Sequence, residues 1–306
     1  MTERQELQAE EIIIDVPALF RFDQNVNYLS RSANECMLHV EDKQIIKAIP
    51  LKQENVIVAI REGDHQTLAA RIWGLKSAER IEAKEEVVQY IRNWFDLDTD
   101  LEPFYLMAEG DTLLQPTVDS FYGLRIVGIS NLFEAICWGI IGQQINLAFA
   151  YTLKRRFVEK YGTLITHNGY DCWLFPSPQS IASLSVKELE ALQFTSRKSE
   201  YIIGVARLIA DGSLSKERLL ATGSCKDAER MLVQIRGIGP WTANYVIMRC
   251  LRLQSAFPID DVGLHNAIKL RLAMDRKPTK DEIINLSRTW TNWEAYATFY
   301  LWRWLY

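Results

Sequence analysis

Val233-Gln-Ile-Arg-Gly-Ile-Gly-Pro-Trp-Thr-Ala-Asn-Tyr245 is the stretch that decides how this chain reads. Within it, Arg236-Gly237-Ile238-Gly239-Pro240 breaks two helical patterns. Met231, Leu232 and Ile235 fall at helical spacing before the break, and Trp241, Tyr245 and Met248 do so after it. Two glycines around one apolar residue suit a tight turn with positive φ. Pro240 suits the first turn of a new helix, where its missing N–H has no partner to lose. The stretch predicts helix, glycine hairpin and helix over about 226–252. Such a hairpin suits an anion: Gly237 and Gly239 let backbone N–H groups approach a ligand, and the new helix adds unpaired N–H groups and its dipole. A phosphate fits, with Thr242 as an extra hydroxyl donor. A plain corner between helices also wants glycine, so the hairpin alone leaves both readings open.

Ala256-Phe-Pro-Ile-Asp-Asp-Val-Gly-Leu264 follows, with two carboxylates in an apolar run. Burying a carboxylate costs several kcal/mol unless it is paired or hydrogen-bonded. Asp260 can serve as N-cap for a helix beginning near Val262. A second, adjacent acid then needs another explanation.

Hairpin and acid together resemble the helix-hairpin-helix DNA glycosylase superfamily, most closely its DNA-3-methyladenine glycosylase II branch. Similar segments run through most of the chain: Gly123-Leu-Arg-Ile-Val-Gly, Phe133-Glu-Ala-Ile, Gly142-Gln-Gln-Ile145, Arg197-Lys-Ser-Glu-Tyr-Ile202 and Trp290-Thr-Asn-Trp-Glu-Ala-Tyr296. The resemblance implies base flipping and hydrolysis of an N-glycosidic bond in damaged double-stranded DNA. It makes Asp261, directly before Val-Gly-Leu, the catalytic carboxylate in preference to Asp260, stabilising positive charge on the sugar, activating water, or both. It puts Gln143 and Gln144 in the loop that fills the hole left by the extruded base. Position 144 matches the wedge, although Gln stands where the nearest relatives carry an apolar residue. It aligns Trp302 with a pocket tryptophan and brings Tyr28 toward the pocket, where a core role is the competing reading. It also implies a monovalent cation on the backbone carbonyls of Val233, Ile235 and Ile238.

The 306 residues allow one large or two modest domains, and 48% hydrophobic content is enough for a real core. A net charge of −4 argues against DNA binding by bulk charge and for a few oriented donors. No apolar run is long enough to span a bilayer. Met1-Thr-Glu-Arg-Gln-Glu is unlike a signal or transit peptide. Cys36, Cys137, Cys172, Cys225 and Cys250 are scattered without metal-ligand spacing, which predicts a reduced cytoplasmic protein without cofactor. No cysteine follows Cys250, so the iron–sulfur loop of some relatives is not expected.

The expected fold class is α+β: an N-terminal antiparallel sheet domain with helices (1–103), then an all-helical catalytic domain (104–306). Glu11–Val16, Cys36–Val40, Gln44–Ile49, Val56–Ile60 and Thr67–Trp73 read as strands. Val87, Val88, Ile91, Trp94 and Phe95 mark a helix, and Asp96-Leu-Asp-Thr-Asp-Leu-Glu-Pro103 is an acidic linker. Farther on, Ser130 is the expected cap of a buried helix from Asn131, and Trp173–Ser183 reads as a connecting loop. Ser185-Val-Lys-Glu188 and Thr279-Lys-Asp-Glu282 are capping boxes. Arg197 and Lys198 are candidates for the DNA backbone.

Trp241 and Tyr245 lie one helical turn apart, so they share a face. With Trp302 they suggest an aromatic slot for an extruded base, and a cationic alkylpurine gains about 0.5–2 kcal/mol over an indole. Ordinary core packing is the alternative for each ring taken alone. Superfamily members that also cut the backbone carry a Lys where this chain has Trp241, so a monofunctional enzyme without AP lyase activity is expected. The leading expectation is a monomeric glycosylase for alkylated purines of the 3-methyladenine and 7-methylguanine type. The alternatives are a glycosylase for deaminated or oxidised purines and a non-catalytic hairpin DNA-binding protein.

Overall fold

The protein is described from a computed structural model, covering residues 9–76 and 80–305. The polar N-terminal stretch Met1–Glu6 lies outside the described residues. Five antiparallel strands open the fold: β1 (Glu10–Asp15), β2 (Leu38–Glu41), β3 (Gln44–Pro50), β4 (Asn55–Glu62) and β5 (Thr67–Trp73). Their spatial order is β1-β5-β4-β3-β2. The β2–β3 turn is two residues, Asp42 and Lys43, both with positive φ, as the twist of a tight hairpin requires.

Alternation along the strands gives the sheet two apolar faces. Ile45, Ile49, Val56, Val58 and Ile60 join the main core with Val87 and Ile91 of the helix Arg80–Trp94. Ile46, Ala48, Ile57 and Ala59 point the other way and pack on Cys172, with Ile165 and Leu174 against them. Those last residues belong to a second hairpin, β6 (Thr163–His167) and β7 (Tyr170–Leu174). The expectation of helices alone past residue 104 is therefore corrected. Asn168 and Gly169, both at positive φ, turn this hairpin. Trp173 is a strand residue, and Pro178–Ala182 forms a short helix, so Trp173–Ser183 is not simply a loop.

The rest of the chain is helical. The buried helix Leu132–Gly142 is capped by Asn131, whose side chain accepts the Glu134 N–H, and not by Ser130. Both capping boxes form. The helix Glu294–Trp302 is buried from Ala295 to its end. No helix among the described residues is long and apolar enough to cross a membrane. All five cysteines are free, and all but Cys225 are buried.

Arg125, wholly buried, ties its own segment to the chain around the helix Phe22–Leu29 and to the chain after the helix Arg80–Trp94. Its Nε donates to the Leu19 carbonyl (3.0 Å) and its Nη1 to the carbonyls of Asp96 (2.9 Å) and Thr99 (2.5 Å). Its own N–H donates to Asn25 Oδ1 (3.1 Å). Replacing the guanidinium with a thioether strips donors from three carbonyls away from water. Arg125→Met is expected to cost about 3–5 kcal/mol, read as a lower denaturant midpoint at unchanged slope.

Candidate functional site

The glycine turn sits between the helices Cys225–Val233 and Pro240–Val246, and the second continues through a wider π-type turn at Ile247–Leu251. Pro240 occupies the first turn, as its fixed φ suits. Only one of the two glycines is left-handed. Gly237 has φ +95, whereas Gly239 has φ −93 and acts as the N-cap. Gly237 is also hemmed in: a Cβ there would lie 2.2 Å from Cγ of Tyr201, while one on Gly239 would meet nothing within 4 Å. The first glycine serves the fold and the second leaves the surface open.

Gln143 and Thr242 face inward. Gln143 Nε2 donates to the Gly237 carbonyl (2.9 Å) and to the Thr242 hydroxyl (3.1 Å), and Thr242 is buried. These contacts staple the loop after Leu132–Gly142 to the hairpin. The expectation that Gln143 and Thr242 present their polar groups to DNA is corrected: those groups are engaged within the protein. Gln144 is exposed and left-handed, at φ +58. Lys198 is likewise corrected. It is buried, its Nζ donates to the Ile141 carbonyl (2.8 Å), and burial pulls its pKa down. Arg197 is exposed.

The two adjacent acids part company. Asp260 is exposed and pairs with Lys280 (3.1 Å). Asp261 is buried and, contrary to expectation, is itself the N-cap of the helix Val262–Arg271. Its Oδ1 accepts the Leu264 N–H (2.7 Å) and the Trp302 indole N–H (2.8 Å), and its Oδ2 accepts the Trp241 indole N–H (2.6 Å). Two indoles and a helix start therefore fix both carboxylate oxygens. Among the described residues the carboxylate has hydrogen bonds and no ion pair.

Asp261, Trp241, Tyr245, Trp302 and Tyr28 line one cavity of about 150 Å³. The Trp241 and Tyr245 rings stack at 5.9 Å, and Tyr245 and Trp302 lie 6.3 Å apart. Tyr28 is buried and packs on Phe299 at 4.7 Å, so it is both core and cavity wall.

Two cations in this wall were not foreseen. Arg249 is buried; its Nε donates to the Val127 carbonyl (2.7 Å) and its Nη1 to the hydroxyls of Tyr28 (2.8 Å) and Tyr245 (3.0 Å). Burial pushes the Tyr245 hydroxyl pKa up, against the opposing pull of Arg249. Arg31 lies over the Tyr28 ring at 3.9 Å. The pocket is thus aromatic but not neutral. Arg249 did carry a sequence signal, as a charge within the apolar run Val246–Leu251 one turn beyond Tyr245. Arg31 carried none. Behind the wall lies a second, polar cavity of about 70 Å³ holding Glu35, Glu134 and Lys154. Burial pushes the Glu35 carboxyl up, but Lys154 and the Met37 N–H outweigh it and hold it below its ordinary range.

Comparison with known proteins gives two family matches. Residues 137–292 match the HhH-GPD superfamily of base excision DNA repair proteins. Residues 6–136 match the N-terminal domain of 8-oxoguanine DNA glycosylase. The chain is 51% identical over 297 residues to a Bacillus subtilis DNA-3-methyladenine glycosylase, covering 96% of this chain and 97% of that protein. It is 31% identical to Escherichia coli DNA-3-methyladenine glycosylase 2, over 59% of this chain and 60% of that one. In fold it is similar to the 3-methyladenine DNA glycosylase of Archaeoglobus fulgidus, with a TM-score of 0.83 at 22% identity over 96% and 97% of the two chains. A Clostridium acetobutylicum 8-oxoguanine glycosylase/lyase, solved with double-stranded DNA, gives 0.73 at 18% identity over 97% of each chain.

The two hairpin glycines are expected to differ in unfolding experiments. Gly237→Ala must hold a left-handed backbone and displace Tyr201, and should cost about 2 kcal/mol or more. Gly239→Ala should stay within about 0.5 kcal/mol of the parent.

Proposed function

The chain belongs to the HhH-GPD superfamily of base excision DNA repair proteins, and from that premise we propose that it is a monofunctional DNA glycosylase for alkylated purines. The observation that carries this reading is the Asp261 carboxylate, fixed by two indole N–H groups in the wall of an aromatic cavity. The base swings out of the duplex, because chemistry on it is out of reach inside the stack. It enters the slot between Trp241, Tyr245 and Trp302, with Tyr28 behind. A purine alkylated at N3 or N7 is cationic and favours the electron-rich ring faces. Positive charge then develops on the sugar as the glycosidic bond breaks. Asp261 stabilises that charge and orients the water that attacks the sugar.

The hairpin engages the DNA backbone through the open side at Gly239 and the N–H groups beginning the next helix. Gln144, exposed at the tip of its loop, is the candidate for the space vacated by the base. The carbonyls of Val233, Ile235 and Ile238 are neutral oxygen donors of the kind a monovalent cation takes, although Ile235 O also accepts the Ile238 N–H (3.0 Å). Such an ion would add positive charge beside a backbone phosphate. We further propose that the protein works as a monomer in the cytoplasm on double-stranded DNA.

The absence of lyase activity rests on Trp241, an indole where an amine would be needed to form a Schiff base. A glycosylase for oxidised purines is the second reading, favoured by the match of residues 6–136 to the N-terminal domain of 8-oxoguanine DNA glycosylase. A non-catalytic DNA-binding protein would need Asp261 only as a helix cap, and would not need its second oxygen held by Trp241 in the wall of a cavity.

Two unit charges about 4 Å apart attract by about 4 kcal/mol at an effective dielectric of 20, which is roughly a thousandfold in rate. Asp261→Asn should therefore lose about three orders of magnitude in single-turnover release of methylpurine, with DNA binding kept. Asn keeps the oxygen that caps the helix and meets Trp302 but sets an NH2 against the Trp241 indole N–H, so the unfolding midpoint and DNA binding of the variant are measured beside its rate. A variant within tenfold of the parent contradicts the role of Asp261, and a covalent adduct trapped by borohydride contradicts monofunctional chemistry.

A further inference from the structure

Arg31 forms no ion pair among the described residues, although the Glu35 charge acts on it at longer range. It lines the same space as Asp261, Trp241 and Trp302. Its guanidinium lies over Tyr28 (3.9 Å) and within 5.6 Å of the Tyr151 ring centroid. Its one hydrogen bond among the described residues runs from Nη1 to the Tyr28 carbonyl (2.7 Å). Nε and Nη2 make no hydrogen bond among the described residues. No carboxylate among the described residues forms an ion pair with it. Glu35, the acid nearest in sequence, is taken by Lys154 (3.5 Å) and by the N–H groups of Cys36 (3.0 Å) and Met37 (2.9 Å). Arg249, by contrast, spends its Nε and Nη1 on Val127, Tyr28 and Tyr245.

A guanidinium stays ionised at any working pH and offers donors in a fixed fork. Tyr28, Tyr151, Tyr245 and Glu35 outweigh the cost of burying this cation, so a stable positive charge with spare donors stands in the cavity wall. The chemistry of the cavity gives that charge a task. When the glycosidic bond breaks, its electron pair leaves with the base, while water adds to the sugar carbon and gives up a proton. A cationic methylpurine departs as a neutral molecule and needs no cation beside it. A neutral purine departs with a full negative charge, later quenched by a proton from water.

Resting on the glycosylase reading above, we propose that Arg31 is a specificity-determining residue that stabilises negative charge on the departing base and so admits neutral purines beside cationic ones. Asp261 and Arg31 then serve the two halves of the breaking bond. Asp261 answers positive charge on the sugar, and Arg31 answers negative charge on the base.

The test compares single-turnover release of hypoxanthine, a neutral base, and 7-methylguanine, a cationic one, from otherwise identical duplexes. Arg31→Gln should slow hypoxanthine release about 10²-fold, the scale of removing one oriented donor from a developing anion, and leave 7-methylguanine within about threefold. Arg31→Lys keeps the charge and should recover at least about tenfold of the lost ratio. An equal fall on both lesions, or no fall on hypoxanthine, overturns the assignment, since a merely structural role moves both rates together. If Arg31→Gln does not fold, a Lys variant that slows both lesions alike is the overturning result. Wild-type protein that releases neither base overturns the glycosylase reading itself.

Discussion

One carboxylate, held by three N–H groups and by no cation among the described residues, is the constraint around which the helical half is arranged. Asp261 is buried, and burial of a lone charge costs several kcal/mol. The Trp241 and Trp302 indoles and the Leu264 N–H offset that cost with charge-assisted hydrogen bonds. All three donors are neutral. The negative charge is thus oriented without being neutralised, unlike Asp260, which is already paired with Lys280. Three distant pieces of chain must meet for this to happen: the helix after the glycine turn, the start of the next helix, and the C-terminal helix.

Their meeting depends on the hairpin. Gln143 donates to the Gly237 carbonyl and to Thr242, so the loop after Leu132–Gly142 and the glycine turn form one unit. Lys198 adds a bond from another helix to the end of that same buried helix. Gln143, Thr242 and Lys198 are therefore spent on holding the hairpin, while Arg236, Arg197 and Gln144 remain on the surface. A net charge of −4 is consistent with recognition by a few oriented groups.

Much of this was legible because the signals were local. Pro240 and the two glycines forced a turn, the stripes forced the helices, and both capping boxes formed where Ser185 and Thr279 placed them. Errors arose where local rules allow two answers. Either of two adjacent acids can cap a helix, and only the packing of Trp302 and Trp241 decides for Asp261. Thr242 and Gln143 look like surface donors until the approach of Leu132–Gly142 buries one and engages the other. The second hairpin does carry a local signal, since Asn168-Gly169 between two alternating segments is a strong turn signal. Arg31 lies more than two hundred residues from Trp241, Asp261 and Trp302, with which it shares the cavity, and no spacing rule reaches that far.

The cavity's electrostatics follow from those two distant arginines. Aromatic faces alone would favour any cation and discriminate little among electron-poor bases. Adding Arg31 and Arg249 to a wall that already holds Asp261 gives the cavity charges of both signs. Arg249 is tied to two tyrosine hydroxyls and a carbonyl, so it fixes ring positions and its field is constant. On the proposed reaction, charge separates as the bond stretches, and a site with fixed charges of both signs stabilises that separation more than the unbroken bond. A wall of rings alone rewards a base that is charged before the reaction starts. Fixed charges of opposite sign reward charge that appears during it, and only that second kind of complementarity lowers the barrier.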